Sequence, residues 1–290
     1  MNILDLALSI AARRDFPRAL HDSASKMLEL NTIAPRTARY VSNVPNWLMT
    51  QGAVLLYFEH LRKKSAPNLT SANLLKLFAA HEVSAVSKNT IVSHLGEMRR
   101  YGLVSDDKTN TGKRAKPLLL SETGQELVCR WFNGHLMSLD MMDGGTRHER
   151  SLNEPELLYR AHPRAVRILL GEKGWSDPPD SVGTFAWVES GSNILHDLFL
   201  RTPPQIDLPD RIWVGSISAS DITGAYIISR SHAQRVFARA KERQLLGWER
   251  SGNGGSLWIS RDLIESYRLW QALKFAAIQI AWSEIEDSNT

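Results

Sequence analysis

Cysteine is almost missing from these 290 residues. Cys129 stands alone, so no internal disulfide can form and no thiolate zinc site can be assembled, which excludes a stapled secreted scaffold and a zinc finger. Long apolar runs are missing as well. No stretch of 18 uncharged apolar residues occurs, and the opening MNILDLALSIAARR places Asp5 in its apolar stretch without a small-residue cleavage pattern. Neither a membrane span nor a secretory signal is expected, and the expected setting is soluble and cytoplasmic. Catalytic signatures are equally scarce. His81-Glu82 lacks the second histidine of a zinc-protease helix, and neither a glycine-rich phosphate loop nor a Gly-x-Ser-x-Gly elbow is present. We therefore expect no enzyme, no metal and no cofactor.

What is present is ordinary globular composition, 43% hydrophobic and 23% charged, in a length worth about two domains. The net charge of +4 is unevenly spread. Residues 87–116 hold seven basic residues against three acidic ones, and residues 229–250 hold six against two, which leaves the rest of the chain net negative. Two short basic segments on an acidic chain point to an anionic partner, although a solvated helix face would account for the charge taken alone.

A low-apolar stretch at 143–155 has linker composition. We accordingly expect an N-terminal helical segment over 1–45, a first domain with its following helix over 46–143, a linker over 144–159 and a second domain with a C-terminal helix over 160–290. Matching features recur between the halves in the same order. Pro17-Arg18-Ala19-Leu20 pairs with Pro163-Arg164-Ala165-Val166, Trp47 and Gly52 with Trp187 and Gly191, Ser87-Lys88 with Ser229-Arg230, and Leu103-Val104 with Leu245-Leu246. All lie 139 to 146 residues apart, the pattern of a diverged tandem duplication.

In the first half, periodicity predicts a helix over 53–64, a second from a Thr70 or Ser71 cap through Ala80, and a third from the Ser87 cap to Tyr101. Ile91, Leu95 and Met98 form the buried stripe of the third, and Gly102 stops it. Leu103–Ser105 and Pro117–Leu120 read as a hairpin, and a helix follows from Ser121. The second half gives helices over 192–200 and 218–226, a strand over 212–217, and a third helix from Ser229 with Ala233, Phe237 and Ala240 inward. A hairpin turning at Asn253-Gly254 and a final helix over 262–282 complete it.

Two helices joined by a tight turn and followed at once by a hairpin make a winged helix-turn-helix. The expected fold is thus mainly α with small β-hairpin wings, as tandem winged helix-turn-helix domains. The basic segments coincide with the third helix and hairpin of each half, the elements such a domain presents to a DNA groove. Outward candidates for double-stranded DNA are Lys88, Asn89, Thr90, Ser93 and His94 on the first reading helix, with Lys113, Arg114 and Lys116 in its wing. On the second they are Arg230, Ser231, His232, Arg235 and Arg239. Asn, Ser, Thr and Arg at a helix N-terminus donate to phosphates or read base edges. The first helix is expected to rely more on hydrogen bonding and the second more on charge.

The run IVSHLGEMRRYGLVSDDKTNTGKRAKPLLLSETGQEL, Ile91 to Leu127, resembles the recognition helix, wing and following helix of MarR-type transcriptional regulators. The likeness is carried by Arg100, Gly102, Leu103 and Val104, then Leu120, Ser121 and Gly124. It implies a sequence-specific transcriptional regulator, with Lys113 or Arg114 in place of the wing arginine, preceded by Thr111-Gly112 where the family carries an aspartate. Family members are dimers of one such domain, so this chain is expected either as a covalent pseudo-dimer or as a homodimer presenting four units. Segments 1–13 and 262–282 are association surfaces or buried intrachain helices. Cys129 is a thiol sensor or an inert packed thiol, and the nine tryptophans line a small-molecule effector pocket or the core. Two other functions fit the pattern: a replication initiator with tandem winged helices, and a winged-helix protein-interaction module.

Overall fold

Several helices in this chain start where a side-chain oxygen takes up a free backbone N–H. The computed structural model describes residues 2–83, 86–108, 116–250 and 253–287. In chain order its elements are α1 (Ile3–Ala11), α2 (Phe16–Ile33), α3 (Pro35–Val41), α4 (Val44–Arg62), α5 (Ser71–Ala80), α6 (Lys88–Arg100), β1 (Val104–Asp106), β2 (Leu118–Leu120) and α7 (Glu122–Asp143). There follow α8 (Arg147–Asn153), α9 (Pro155–Gly171), α10 (Lys173–Ser176), α11 (Asp180–Ala186), α12 (Gly191–Leu200) and β3 (Arg211–Trp213). The last are α13 (Ala219–Tyr226), α14 (Arg230–Glu242), β4 (Leu246–Arg250), β5 (Gly254–Ser260) and α15 (Arg261–Asp287). The chain is mainly helical with two small antiparallel sheets. It divides into two units: one runs up to Val44 and takes in Asp177–Ala276, and the other comprises Pro45–Ser176 with the residues from Ala277.

In the two-stranded unit, Thr70 Oγ1 accepts from Asn73 N at 3.2 Å to start α5, and Ser87 Oγ from Thr90 N at 3.2 Å to start α6. Each cap is worth about 1 kcal/mol. Ile91, Leu95 and Met98 are buried under α6. That helix ends in a Schellman motif: Leu103 N donates to Met98 O at 2.9 Å, and Gly102 takes φ +71°, which a residue without Cβ adopts freely. The hairpin pairs Val104 with Leu120 and Asp106 with Leu118, while Leu69, just before the Thr70 cap, bridges Leu118 on the other side. Ser121 then joins hairpin to helix, its Oγ donating to Gly102 O at 2.6 Å and accepting from Gly124 N at 3.0 Å. Gly124 is required here, because a Cβ would stand 2.4 Å from Leu103 O.

The three-stranded unit repeats this order. Its sheet runs β3-β5-β4, with β3 directly preceding the Ser218 cap of α13. Ser229 Oγ accepts from His232 N at 3.2 Å to start α14, over buried Ala233, Val236, Phe237 and Ala240. The end of α14 is the same Schellman motif, Leu245 N to Ala240 O at 2.9 Å, but Gln244 occupies the left-handed position at φ +58°. Ser260 N donates to Leu245 O and Ser260 Oγ accepts from Leu263 N, as Ser121 does against Leu103 and Gly124. The core beneath is aromatic. Phe16 meets Phe275 edge-on at 5.5 Å, and the buried His196 Nδ1 lies 2.6 Å from Tyr267 Oη.

Two expectations are corrected. Residues 144–159 are not a linker: Gly144 caps α7 at φ +71°, Arg147 grips Asp140 and Asp143 in a tight corner, and α8 and α9 follow. Glycine and polar content were read there as slack, whereas they build a helix cap and an ion-paired turn. The units also do not follow the halves of the sequence. Helix α9 buries Leu158, Ala161, His162 and Val166 in the two-stranded unit, where Arg167 pairs with Glu59 at 2.7 Å and His162 Nε2 donates to Gln51 Oε1 at 2.6 Å. Residues 2–44 join the three-stranded unit instead, with α2 packed along α12. An amphipathic stripe states that a helix is buried but not against which neighbour. Helix α4 starts nine residues before the expected Ala53, and α15 is core: Tyr267, Phe275 and Ala276 are fully buried. Helix α1 buries Leu6, Ala7 and Ile10 and leaves Leu4 and Leu8 exposed.

Candidate nucleic-acid interface

On α6, the side opposite Ile91, Leu95 and Met98 carries Lys88, Asn89, Thr90, Ser93, Arg99 and Arg100, all exposed. His94 is not among them. It is 1% exposed, and because Thr50 Oγ1 donates to Asn46 O at 2.8 Å, His94 Nε2 is the donor in the 3.2 Å bond to Thr50 Oγ1. Burial pushes its pKa down to about 4, so it stays neutral. The correction follows from helix geometry: position 94 is three residues from Ile91 and four from Met98, on the buried stripe itself. Lys116 is exposed beside β2 and, with Thr70, Val92 and Arg99, borders a shallow groove between α5, α6 and the hairpin. Lys113 and Arg114 lie outside the described residues.

The arginines at the end of α6 are already engaged. Arg99 pairs with Asp106 on β1 at 2.8 Å, and Arg100 with Glu97 at 3.3 Å. On α14 the pattern differs: Arg230, Ser231, Arg235 and Arg239 are exposed, and none of these three arginines makes an ion pair among the described residues. Arg235 Nε donates to Ser231 O within its own helix at 3.3 Å. His232 is half-buried, and its Nε2 donates to Glu189 O at 3.2 Å, so it faces its own unit rather than solvent.

Position along the helix separates these cations into two kinds. Arg99, Arg100, Arg239 and Lys241 stand in last turns, where positive charge complements the helix dipole and needs no partner to account for it. Lys88 and Arg230 stand at the first helical position of α6 and α14, where positive charge opposes the dipole by a few tenths of a kcal/mol to about 1 kcal/mol. The free N–H groups of such a helix N-terminus favour an anion there.

A groove beside α14 went unread in the sequence. Gln234, Ala238 and Lys241 line it with Trp248 and Asn253 of the hairpin. Lys241 Nζ donates to Asn253 Oδ1 at 3.1 Å and lies 5.8 Å from the Trp248 ring. Continuing the helical step from Arg230 through 234 to 238 was the signal that would have found it. Trp47 meets Trp131 at 5.8 Å and Trp175 at 5.1 Å, ring against ring, and burial pushes the Cys129 thiol pKa up, away from a reactive thiolate. Among the described residues, no group of three or more His, Cys, Asp or Glu side chains is placed to hold a metal ion, and no helix is long and apolar enough to cross a membrane. No family model, curated protein or solved structure matches the chain.

Proposed function

We propose that this chain is a sequence-specific double-stranded DNA-binding transcriptional regulator of MarR-like type, with two winged helix-turn-helix modules: α5, α6 and the β1/β2 hairpin, and α13, α14 and the β4/β5 hairpin. The supporting observation is the exposed face of each second helix, opened by a serine cap and a cation set against the helix dipole. Such a helix fits the major groove, and its first residues reach phosphates and base edges. Arg230, Arg235 and Arg239 are free to neutralise phosphates, while Asn89, Thr90 and Ser93 supply hydrogen bonds. One chain thus offers two reading helices as a covalent pseudo-dimer.

The test is duplex binding across a salt series. With about six cations on phosphates, affinity falls about 10³-fold between low and moderate salt. Arg235→Ala lowers affinity and reduces the salt slope by about one, whereas Ser93→Ala lowers affinity without changing the slope. A flat salt titration, or wild-type affinity in both variants, refutes the proposal. Occupancy of promoters in chromatin immunoprecipitation supports regulation, and occupancy confined to direct repeats at an origin replaces it with replication initiation.

A further inference from the structure

The three-stranded sheet carries a feature that duplex reading by α14 does not use. Register places Ile212, Ile259 and Leu246 side by side on its buried face, all at most 3% exposed. The opposite row is Trp213, Trp258 and Gly247. Gly247 is there so that the Trp258 indole can lie flat across β4, since a Cβ would stand 2.6 Å from the ring. Arg211 covers Trp258, its guanidinium carbon 4.6 Å from the ring centroid. Trp213 pairs with Trp258 across β3 and β5 and is still 51% exposed, so about half of its surface is open to a ligand. A shallow groove borders this row, lined by Arg211, Lys241, Gln244 and Trp258. Its one acid, Asp210, is already paired with Arg261 at 2.8 Å.

Flat aromatic surface edged by uncompensated cations and an amide is the chemistry that holds unpaired nucleobases together with their phosphates. We propose that this sheet face binds a single-stranded nucleic acid, Trp213 stacking on a base while Arg211 and Lys241 take the adjoining phosphates. Lys241 lies eleven residues beyond Arg230, about 16 Å along the axis of α14. Trp213 and Arg211 stand on β3, outside the elements assigned to duplex, while Lys241 lies two residues past Arg239; the proposal rests on the β3 pair and not on the duplex assignment.

The experiment is fluorescence anisotropy of labelled oligothymidylate and oligouridylate against the full chain, with a labelled duplex in parallel. Saturable binding of either single strand is expected, and a preference between the two identifies DNA or RNA as the source. Trp213→Ala weakens it about tenfold, Trp213→Phe keeps most of the affinity, and both leave duplex binding at the wild-type level. Arg211→Ala weakens single-strand binding independently, so a failure of Trp213→Ala to fold does not close the question. Absence of single-strand binding by the wild-type chain, unchanged affinity in Trp213→Ala and Arg211→Ala, or an equal loss on duplex overturns the site.

Discussion

Lowering the pH from 7 to 5 destabilises this protein through three histidines that it buries uncharged. Burial pushes His94 down to about 4 and His162 and His196 to about 3, against about 6.5 in an unfolded chain. Between the folded and unfolded values the unfolded state binds a proton that the folded state refuses, so stability is present above about pH 6.5 and is lost as pH falls toward the folded value. Each histidine then removes about 2 kcal/mol between pH 7 and 5, so about 4 kcal/mol from the two-stranded unit, which holds His94 and His162, and about 2 kcal/mol from the three-stranded unit, which holds His196, against the 5–15 kcal/mol that holds an ordinary domain. The decisive variant is His94→Gln, whose amide keeps a donor toward Thr50 Oγ1 but does not titrate. In urea melts followed by circular dichroism at pH 7, 6 and 5, the variant is less stable than wild type at pH 7 and loses about 2 kcal/mol less on acidification. Parallel losses in the two proteins would refute the assignment of His94 as a neutral, buried anchor of α6.

Further outcomes follow from single contacts. Gly124→Ala drives a methyl group against Leu103 O and lowers stability by about 1–3 kcal/mol; an unchanged urea midpoint would show that the junction yields. Gln244→Gly relieves the left-handed position that ends α14 and raises stability by about 1 kcal/mol, read in the same melts. Asp106→Asn frees Arg99 from its ion pair, so duplex affinity rises and the salt slope steepens by about one; an unchanged slope places Arg99 away from phosphate. Cys129 reacts slowly with a thiol-specific disulfide reagent at neutral pH, and a fast burst would identify a sensor.

Cap chemistry made the helix starts legible. Ser87 and Ser229 are legible as caps, and Thr70 or Ser71 and Ser218 or Ser220 as alternatives of which Thr70 and Ser218 make the bonds, because a side-chain oxygen ahead of an apolar stripe serves local hydrogen bonds that no distant contact alters. Gly102 was legible for the same reason, whereas Gln244 hid an identical helix end behind a residue that rarely takes that conformation. His94 was misplaced by residue type: histidine reads as a groove contact, while its spacing from Ile91 and Met98 already put it inside. What the sequence withheld is long-range. Asp106 holding Arg99, Glu189 holding His232 and Trp213 facing Trp258 across two strands depend on which segments meet, and composition does not encode that.

The membership of α2 in the three-stranded unit sets a timetable for synthesis. Its partner α12, and the Phe275 that meets Phe16, emerge from the ribosome only after the whole of residues 45–176. At about 5–20 residues per second, the delay until Phe275 appears is roughly ten to fifty seconds. Until α12 appears, Leu20, Ala24 and Met27 have only α1 and α3 of their own unit for cover. The intervening unit waits too, since Arg164 and Arg150 find Glu284 and Glu286 only on the last turns of α15. Nascent copies crowded on one messenger are thus exposed to mispairing through α2.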